Sequence, residues 1–251
     1  PYTTLFRSTY VDEMPGGYIV DGVCHKEFEV IEISGVCEEA MGAADVQSNG
    51  GKVITALLEH CCIRVGTLCR SDFKASQWRE LMQKLLVGDR DYIALQIRKI
   101  TKGDEIEMVF TCPKERCGAS LRHFVDIDEI EVTTLDTMDR EFPFELENGV
   151  EDKKTGQLVK TGMVRLPKGL DQEVLTPIAK SNLGLAKTMM LSRCTVKLGD
   201  MLLHDSVFRK MSTKDRDIIM DTLNEHRFGP VMSTEVICVQ CGASFRAVFD
   251  M

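Results

Sequence analysis

The sequence predicts an α+β fold made of two related halves, and two observations support this prediction. A segment at residues 89–126 returns at residues 215–250, and both copies open with Asp-Arg-Asp and carry Cys-Gly-Ala-Ser near their ends. Helical and strand-like patterns also occur in separate runs instead of alternating, which is typical of α+β proteins. We therefore predict an internal duplication, with one repeat at residues 13–133 and the other at residues 134–251.

The two copies keep one register over almost their whole length. In both, a glycine follows 14 residues after the first aspartate, and the first cysteine follows 23 residues after it. The only difference in length lies between the paired cysteines, which are spaced Cys-x4-Cys in the first copy and Cys-x2-Cys in the second. Chance does not hold a register over such a length, so the segments indicate a repeated structural unit.

In the first half, the residue periods predict strands, then helices, then a hairpin. Alternation at residues 18–33 predicts strands that turn at Asp21-Gly22. Helical periods follow from Lys52 to Gly66, from an N-cap at Ser76 to Gly88, and from an N-cap at Asp89 to Gly103. Residues 106–112 and 121–127 read as the two strands of a hairpin that holds the first cysteine pair.

The second half predicts the same order of elements. Residues 141–146 are strand-like, residues 147–158 read as a flexible loop, and a short strand ends at Pro167. A helix capped by Asp171 is expected to run to about Arg193. The helix at Asp215 and a second cysteine hairpin complete the chain.

The paired cysteines Cys112, Cys117, Cys238 and Cys241 are the strongest candidate site. A structural Zn²⁺ takes four tetrahedral donors, and two pairs from two hairpins supply four sulfurs. Because neither half has a full set of ligands, we predict one structural Zn²⁺ per chain that joins the halves in a zinc-ribbon-like arrangement. Local disulfides, unligated thiols and zinc sites shared between subunits are the open alternatives.

No other motif in the sequence indicates catalysis or a further cofactor. A Gly-rich phosphate loop, a Ser-His-Asp order and an HExxH motif are all missing, so we predict a protein that is not an enzyme, with no catalytic residues. The remaining cysteines are expected to be buried thiols. His123, in the return strand of the first hairpin, is a weaker candidate ligand.

Charge and hydropathy narrow the range of partners. The formal net charge is −8, which argues against a nucleic-acid partner or an anionic membrane surface, because both need clustered basic residues. No apolar run approaches the length of a membrane span. These observations favour a protein that binds other proteins.

The run LLVGDRDYIALQIRKITKGDEIEMVFTCPKERCGASL, with VRLPKG at residues 164–169 and CVQCG near the C-terminus, resembles one protein family. It is similar to the T4-type baseplate hub assembly proteins, or hub assembly chaperones, of contractile phage tails and related injection systems. The resemblance implies a non-enzymatic protein that binds baseplate hub or tail proteins. It also implies a location in the host cytoplasm during assembly, with the virion tail as the other location.

Two other classes of protein stay open at this point. A zinc-ribbon adaptor for nucleic acid is one, because LRH and SFR follow the two cysteine pairs. A redox-responsive adaptor is the other, because ten cysteines exceed what one zinc site needs.

Overall fold

The computed structural model describes residues 9–249, and it confirms the mixed α+β class. The strands are β1 (Thr9–Val20), β2 (Val23–Ile31), β3 (Cys62–Val65), β4 (Leu68–Cys69), β5 (Glu105–Thr111), β6 (Ser120–Asp126), β7 (Val132–Thr133), β8 (Glu141–Glu151), β9 (Leu158–Arg165), β10 (Thr195–Leu198), β11 (Gly229–Pro230), β12 (Ser233–Ile237) and β13 (Ser244–Val248). The α-helices are α1 (Gly35–Gly42), α2 (Ala44–Gln47), α3 (Gly50–Cys61), α4 (Ala75–Lys84), α5 (Val87–Lys102), α6 (Gly169–Ser181), α7 (Leu183–Cys194), α8 (Asp205–Lys210) and α9 (Thr213–Glu225).

The described part of the second half repeats the order of the first. An antiparallel hairpin opens each half, β1–β2 in one and β8–β9 in the other, and helices follow it. A short strand then adds to the hairpin, which gives the sheet orders β1-β2-β3-β4 and β10-β9-β8. Two further helices lead to a two-stranded sheet, β5–β6 or β12–β13, and a small sheet of β7 and β11 connects the halves.

Each half has its own apolar core. The first core is centred on Phe28 and Trp78, which are fully buried between the β1–β2 hairpin and the helices around it. The second is centred on Phe208 and Leu191, against the β8–β9 hairpin. A smaller apolar cluster lies between the two cysteine hairpins. Burial of large apolar side chains on this scale is the main stabilising contribution in a domain of this size.

The first aspartate of each Asp-Arg-Asp segment fastens a helix to a bulged strand. The carboxylate of Asp89 accepts hydrogen bonds from the N–H groups of Gly16 (2.7 Å) and Gly17 (3.1 Å), at the bulge in β1. The carboxylate of Asp215 accepts one from the N–H of Asn148 (3.0 Å), at the bulge in β8. A bulge leaves backbone groups without ladder partners, and these carboxylates satisfy them.

The predicted N-cap role of these aspartates is therefore wrong. Helix α5 begins at Val87, so Asp89 lies inside its first turn, where a carboxylate still favours the positive helix end. Helix α9 is capped by Ser212, whose hydroxyl accepts from the N–H of Asp215 (3.1 Å). The sequence pattern located both helix starts to within three residues but could not show which backbone groups the carboxylates bind.

The arginine that follows each aspartate binds a neighbouring helix. Arg90, which is fully buried, donates to the carbonyl of Gly51 (3.1 Å) and to the hydroxyl of Thr55 (2.9 Å), both on α3. A guanidinium buried in this way is stable only when its N–H groups are paired, which these acceptors achieve.

Arg216 makes the corresponding contacts in the second half. It donates to the carbonyl of Gly184 (3.4 Å) and to the hydroxyl of Thr188 (2.9 Å) on α7. Glycine and threonine thus stand four residues apart on α7, as Gly51 and Thr55 do on α3. Arg90 and Arg216 thus each join their own helix to a neighbouring helix through equivalent contacts.

Three helix boundaries differ from the prediction. The helix expected to reach Gly66 ends at Cys61, because residues 62–65 pair with β2 as strand β3. The N-cap expected at Ser76 is Lys74. The single helix expected from Asp171 to Arg193 is two helices, α6 and α7. They separate at Asn182, whose side chain accepts from the N–H of Leu185 (2.9 Å) and caps α7.

Two other expectations in the second half are also corrected. Residues 147–158 are not a loop throughout, because β8 continues to Glu151 and only a short turn follows before β9. Asp171 is not an N-cap. Its buried carboxylate pairs with Arg165 (2.7 Å) and Arg193 (2.7 Å). Burial raises the pKa of Asp171, but these guanidiniums contribute to an opposite effect that is larger, so the pKa lies below its usual value.

Matched substitutions at Gly51 and Gly184 test how the halves pack. A Cβ on Gly51 would lie 2.6 Å from the backbone nitrogen of Glu173, whereas on Gly184 its nearest neighbour would be Asn182 Oδ1 at 3.4 Å. We expect Gly51→Ala to lower the free energy of unfolding by about 1–3 kcal/mol through overpacking. Gly184→Ala should change it by less than about 1 kcal/mol. Urea denaturation measures both, and equal losses would contradict the packing described.

Asp89 gives the unfolding free energy a pH dependence that Asp89→Asn should remove. Burial raises the pKa of Asp89 to about 6, against an ordinary value of 3.8, although the N–H groups of Gly16 and Gly17 oppose this rise. Because the pKa of Asp89 is higher in the folded protein than in the unfolded chain, protonated Asp89 stabilises the fold. This stabilisation is complete below pH 4 and is lost as the pH rises through about 6.

The difference in unfolding free energy between wild type and Asp89→Asn is expected to change by about 3 kcal/mol at most between pH 4 and 6. Denaturant titrations of wild type and Asp89→Asn at a series of pH values measure it. The exposed Asp136→Asn is the control. A wild-type curve parallel to that of Asp89→Asn between pH 4 and 6 would refute this account.

Candidate metal centre

The four cysteines predicted as ligands meet at one point between the two hairpins. The Sγ atoms of Cys112 and Cys241 are 3.7 Å apart, and those of Cys117 and Cys238 are 3.8 Å apart. All four sulfurs lie within 4.8 Å of one another. Each of these short distances joins one hairpin to the other, so the cluster connects the two halves of the chain.

The arrangement has the dimensions of a tetrahedral thiolate site. A metal bound to four sulfurs at about 2.3 Å has neighbouring sulfurs about 3.8 Å apart. The two short sulfur distances agree with this value. Four cysteines and no other donor also match the ligand set of a structural zinc site, in which no coordination position is open. The residues present therefore fit a structural metal ion.

Tight turns bring each pair of sulfurs to the same side of its hairpin. The N–H of Cys112 donates to the carbonyl of Ala119 (2.9 Å), and the N–H of Cys238 donates to the carbonyl of Ala243 (2.8 Å). The residue after the second cysteine has a positive φ in both turns, 58° at Gly118 and 67° at Gly242. Glycine adopts this conformation without strain, which explains its place in both copies.

Backbone N–H groups favour negative charge on the sulfurs. Burial opposes ionisation of Cys238, but the N–H groups of Cys241 and Gln240 outweigh it and lower the pKa of this thiol to about 7. At Cys112 the N–H of Lys114 also favours the thiolate, yet burial and the neighbouring thiols raise its pKa to about 12. Four close sulfurs cannot all carry charge in the absence of a cation, and a divalent ion removes this conflict.

Apolar side chains surround the cluster and shield it from water. Leu121 and Val236 are buried beside it, and Phe110 and Phe245 pack against them from the facing sheets. A hydrophobic shell limits solvent access to a metal site and stabilises its ligands. The same contacts join β5–β6 to β12–β13, so packing and ligation act at one interface.

The other candidate residues lie apart from this cluster. His123 Nε2 is 3.3 Å from the hydroxyl of Thr234, and His123 is not one of the four clustered residues. No disulfide joins the ten cysteines, so the local-disulfide alternative has no support in this structure. Cys37 and Cys61 are buried, with their sulfurs 3.6 Å apart. Within residues 9–249, no second group of three or more His, Cys, Asp or Glu is placed to hold a metal ion.

Glu173 is a buried polar residue that no sequence motif indicates. Glu173 on α6 accepts hydrogen bonds from the hydroxyl of Thr55 (2.5 Å) and from the amide of Gln83 (3.0 Å), both in the first half. It thus joins the halves a second time, far along the chain from the cysteines. No spacing in the sequence signals it, because a glutamate four residues into a helix is usually solvent-exposed.

The fold and the site together define an α+β protein whose two halves share a four-cysteine cluster. Residues 52–154 match the family described as T4 bacteriophage base plate protein, and this span includes α3, α5 and the first cysteine hairpin. The match supports a phage baseplate protein family. Comparisons with curated proteins and with solved structures gave no match. No helix in residues 9–249 has the length and apolar character needed to cross a bilayer.

Removing one sulfur tests the metal centre. We expect the purified protein to hold one Zn²⁺ per chain and Cys238→Ala to hold none, because three sulfurs leave the site open. Unfolding of the cysteine hairpins should then become separate from, and easier than, unfolding of the cores. Elemental mass spectrometry measures the metal, and hydrogen exchange measures the opening of each segment.

Cys69→Ala is the matched control, since Cys69 is partly buried and lies outside the cluster. Its metal content should equal that of wild type. Equal zinc content in wild type and Cys238→Ala would contradict the four-sulfur site.

Proposed function

We propose that this protein is a non-enzymatic, zinc-binding component of phage tail baseplate assembly, which binds baseplate hub or tail proteins. The observation that carries the proposal is the match of residues 52–154 to the phage baseplate family, together with the four-cysteine cluster. The place of action is the host cytoplasm while the tail is built, or the tail itself.

The metal in this proposal is a structural Zn²⁺. Soft sulfur donors select zinc over the hard cations Mg²⁺ and Ca²⁺, and four protein ligands leave no position for substrate or water. Its contribution is to fold and join the two hairpins. Ligands on both hairpins mean that the binding free energy of the ion stabilises the contact between the halves.

The proposal includes an internal duplication with halves 13–133 and 134–251. Four pairs of features support it: the bulged hairpins, the aspartates that bind the bulges, the arginines that bind a glycine and a threonine, and the cysteine turns. These contacts recur at matching positions although most surrounding side chains differ. A repeated unit explains why one metal site is divided between distant parts of the chain.

The acidic charge of the surface favours binding to proteins over binding to nucleic acid. Residues 1–133 contain 15 Lys and Arg against 22 Asp and Glu, which gives a formal net charge of −7. Such a surface repels phosphates and attracts basic protein surfaces. The first aspartates of the two Asp-Arg-Asp segments, Asp89 and Asp215, bind backbone N–H groups, which supports a structural role for them instead of a catalytic one.

Co-expression with the tail proteins of the same phage tests this function. We expect the protein to co-purify with a baseplate hub or tail protein at a defined stoichiometry, measured by native mass spectrometry. Cys112→Ser with Cys238→Ser should weaken that complex if the zinc-joined halves form the binding surface. No complex with any baseplate protein, and normal tails in a deletion mutant, would refute the proposal.

A further inference from the structure

The first half carries a docking site that the second half fills. Helix α6 crosses α3 so closely that a Cβ on Gly51 would lie 2.6 Å from the backbone of Glu173. Arg90 Nε donates to Gln172 Oε1 (3.3 Å), and the hydroxyl of Thr55 donates to Glu173. The fourth and fifth residues of α6, Gln172 and Glu173, thus cover the glycine, the threonine and the arginine of the first half.

The second half has the same three residues, and its glycine is exposed. Gly184, Thr188 and Arg216 occupy the places of Gly51, Thr55 and Arg90, and Thr188 is buried as Thr55 is. The nearest atom to a Cβ on Gly184 would be 3.4 Å away and belongs to Asn182, the N-cap residue of the same helix. Arg216 Nε is buried and has no hydrogen-bond partner within residues 9–249, whereas Arg90 Nε has Gln172.

The spaces beside the two strand bulges differ in size. At the bulge of β1 is a cavity of about 120 Å³, lined by Gly17, Lys84 and Leu86 and by Arg140, Arg165 and Leu166 of the second half. At the bulge of β8 is a groove of about 610 Å³, lined by the matching residues Gly149, Lys210 and Ser212. No described residue of the first half lines this groove.

The rim of the groove carries charges of both signs and is partly apolar. Lys153, Lys154 and Lys210 line it together with Glu151, Asp152 and Asp215, and none of the three lysines forms an ion pair within residues 9–249. Arg209, at the position that Gln83 holds in the first half, is also exposed and outside every ion pair of that range. Leu202 is 66% exposed at the groove. A protein segment with carboxylates and a small apolar side chain would complement this rim.

Helix α1 of another copy of the chain has these properties. Its fourth and fifth residues, Glu38 and Glu39, stand where α6 has Gln172 and Glu173. Both are exposed and form no ion pair within residues 9–249. Val36, in the same turn, is 64% exposed. Helix α1, in the acidic first half, therefore presents a surface that corresponds to the surface of α6. Its carboxylates are at the positions that would face the arginines and lysines of the second site.

We propose that a second copy of this chain docks its helix α1 on Gly184 and Arg216, so that chains associate head to tail. Glu38 would accept from Arg216 Nε, and Glu39 would pair with the exposed Arg209, as Gln172 and Glu173 do with Arg90 and Gln83 in one chain. The two surfaces of such a contact differ, so each added copy leaves one free surface of each kind, and assembly continues or closes into a ring. This self-association does not depend on the identity of the baseplate partner.

Sedimentation of the purified full-length protein, with zinc and reductant, tests the proposal over a concentration series from micromolar to near-millimolar. Two double variants each remove one surface: Glu38→Lys with Glu39→Lys, and Arg209→Ala with Lys210→Ala. We expect the wild-type protein to form dimers and longer series that salt weakens, and each double variant alone to associate at least about tenfold more weakly.

A mixture of the two double variants gives the sharpest result. Each retains the surface that the other lacks, so the mixture should form a dimer and nothing larger. The control, Glu129→Lys with Glu131→Lys, changes two exposed acids elsewhere and should associate like wild type. Circular dichroism and zinc content confirm that every variant is folded.

Three outcomes would overturn the proposal. A wild-type protein that stays monomeric over the whole series would show that the site takes another protein or none. Association unaffected by both double variants would place the contact elsewhere. A mixture that stays monomeric would exclude pairing of these two surfaces. None of these results bears on co-purification with baseplate proteins, so the two proposals fail separately.

Discussion

The constraint on which this structure depends is that neither cysteine hairpin holds enough sulfurs to complete a metal site. Four sulfurs within 4.8 Å exist only when β5–β6 and β12–β13 face each other, and those hairpins lie more than a hundred residues apart in the chain. Ordering so long a loop costs entropy that a few apolar contacts between two small sheets offset poorly. The metal ion that we propose would be shared by both hairpins and would supply the missing stabilisation. The contact between the halves would then depend on the same four sulfurs as the ligand set.

A second recurring contact lies where each Asp-Arg-Asp helix meets its sheet. The aspartate binds N–H groups at a strand bulge, and the arginine donates to a carbonyl and a hydroxyl in the first turns of a neighbouring helix, in both halves. The halves then meet asymmetrically: α6 covers the arginine of the first half, whereas the arginine of the second half lacks this partner. If the halves are repeated units, joining them in this way leaves an unmatched surface at each end, and the proposed head-to-tail association rests on these two surfaces.

The sequence predicted those features that local residue types determine. Cysteine spacing identified the four clustered residues, and periodicity located the hairpin at Asp21-Gly22, helix α5 and both cysteine hairpins. The sequence did not predict features that depend on contacts with residues far away in the chain. Residues 62–65 continue a helical pattern but pair with β2, and the carboxylates of Asp89 and Asp171 resemble caps but bind a bulge and two arginines. The burial of Glu173 depends on Thr55 and Gln83, which no local pattern connects to it.

X-ray absorption at the zinc edge of the purified protein is the direct test of the shared metal site, because it reports the number and kind of ligands without any substitution. We expect four sulfurs at about 2.3 Å and no nitrogen or oxygen neighbour. A first shell of two sulfurs with nitrogen or oxygen donors would assign each cysteine pair to a separate site. That result would contradict a metal ion that joins the two halves.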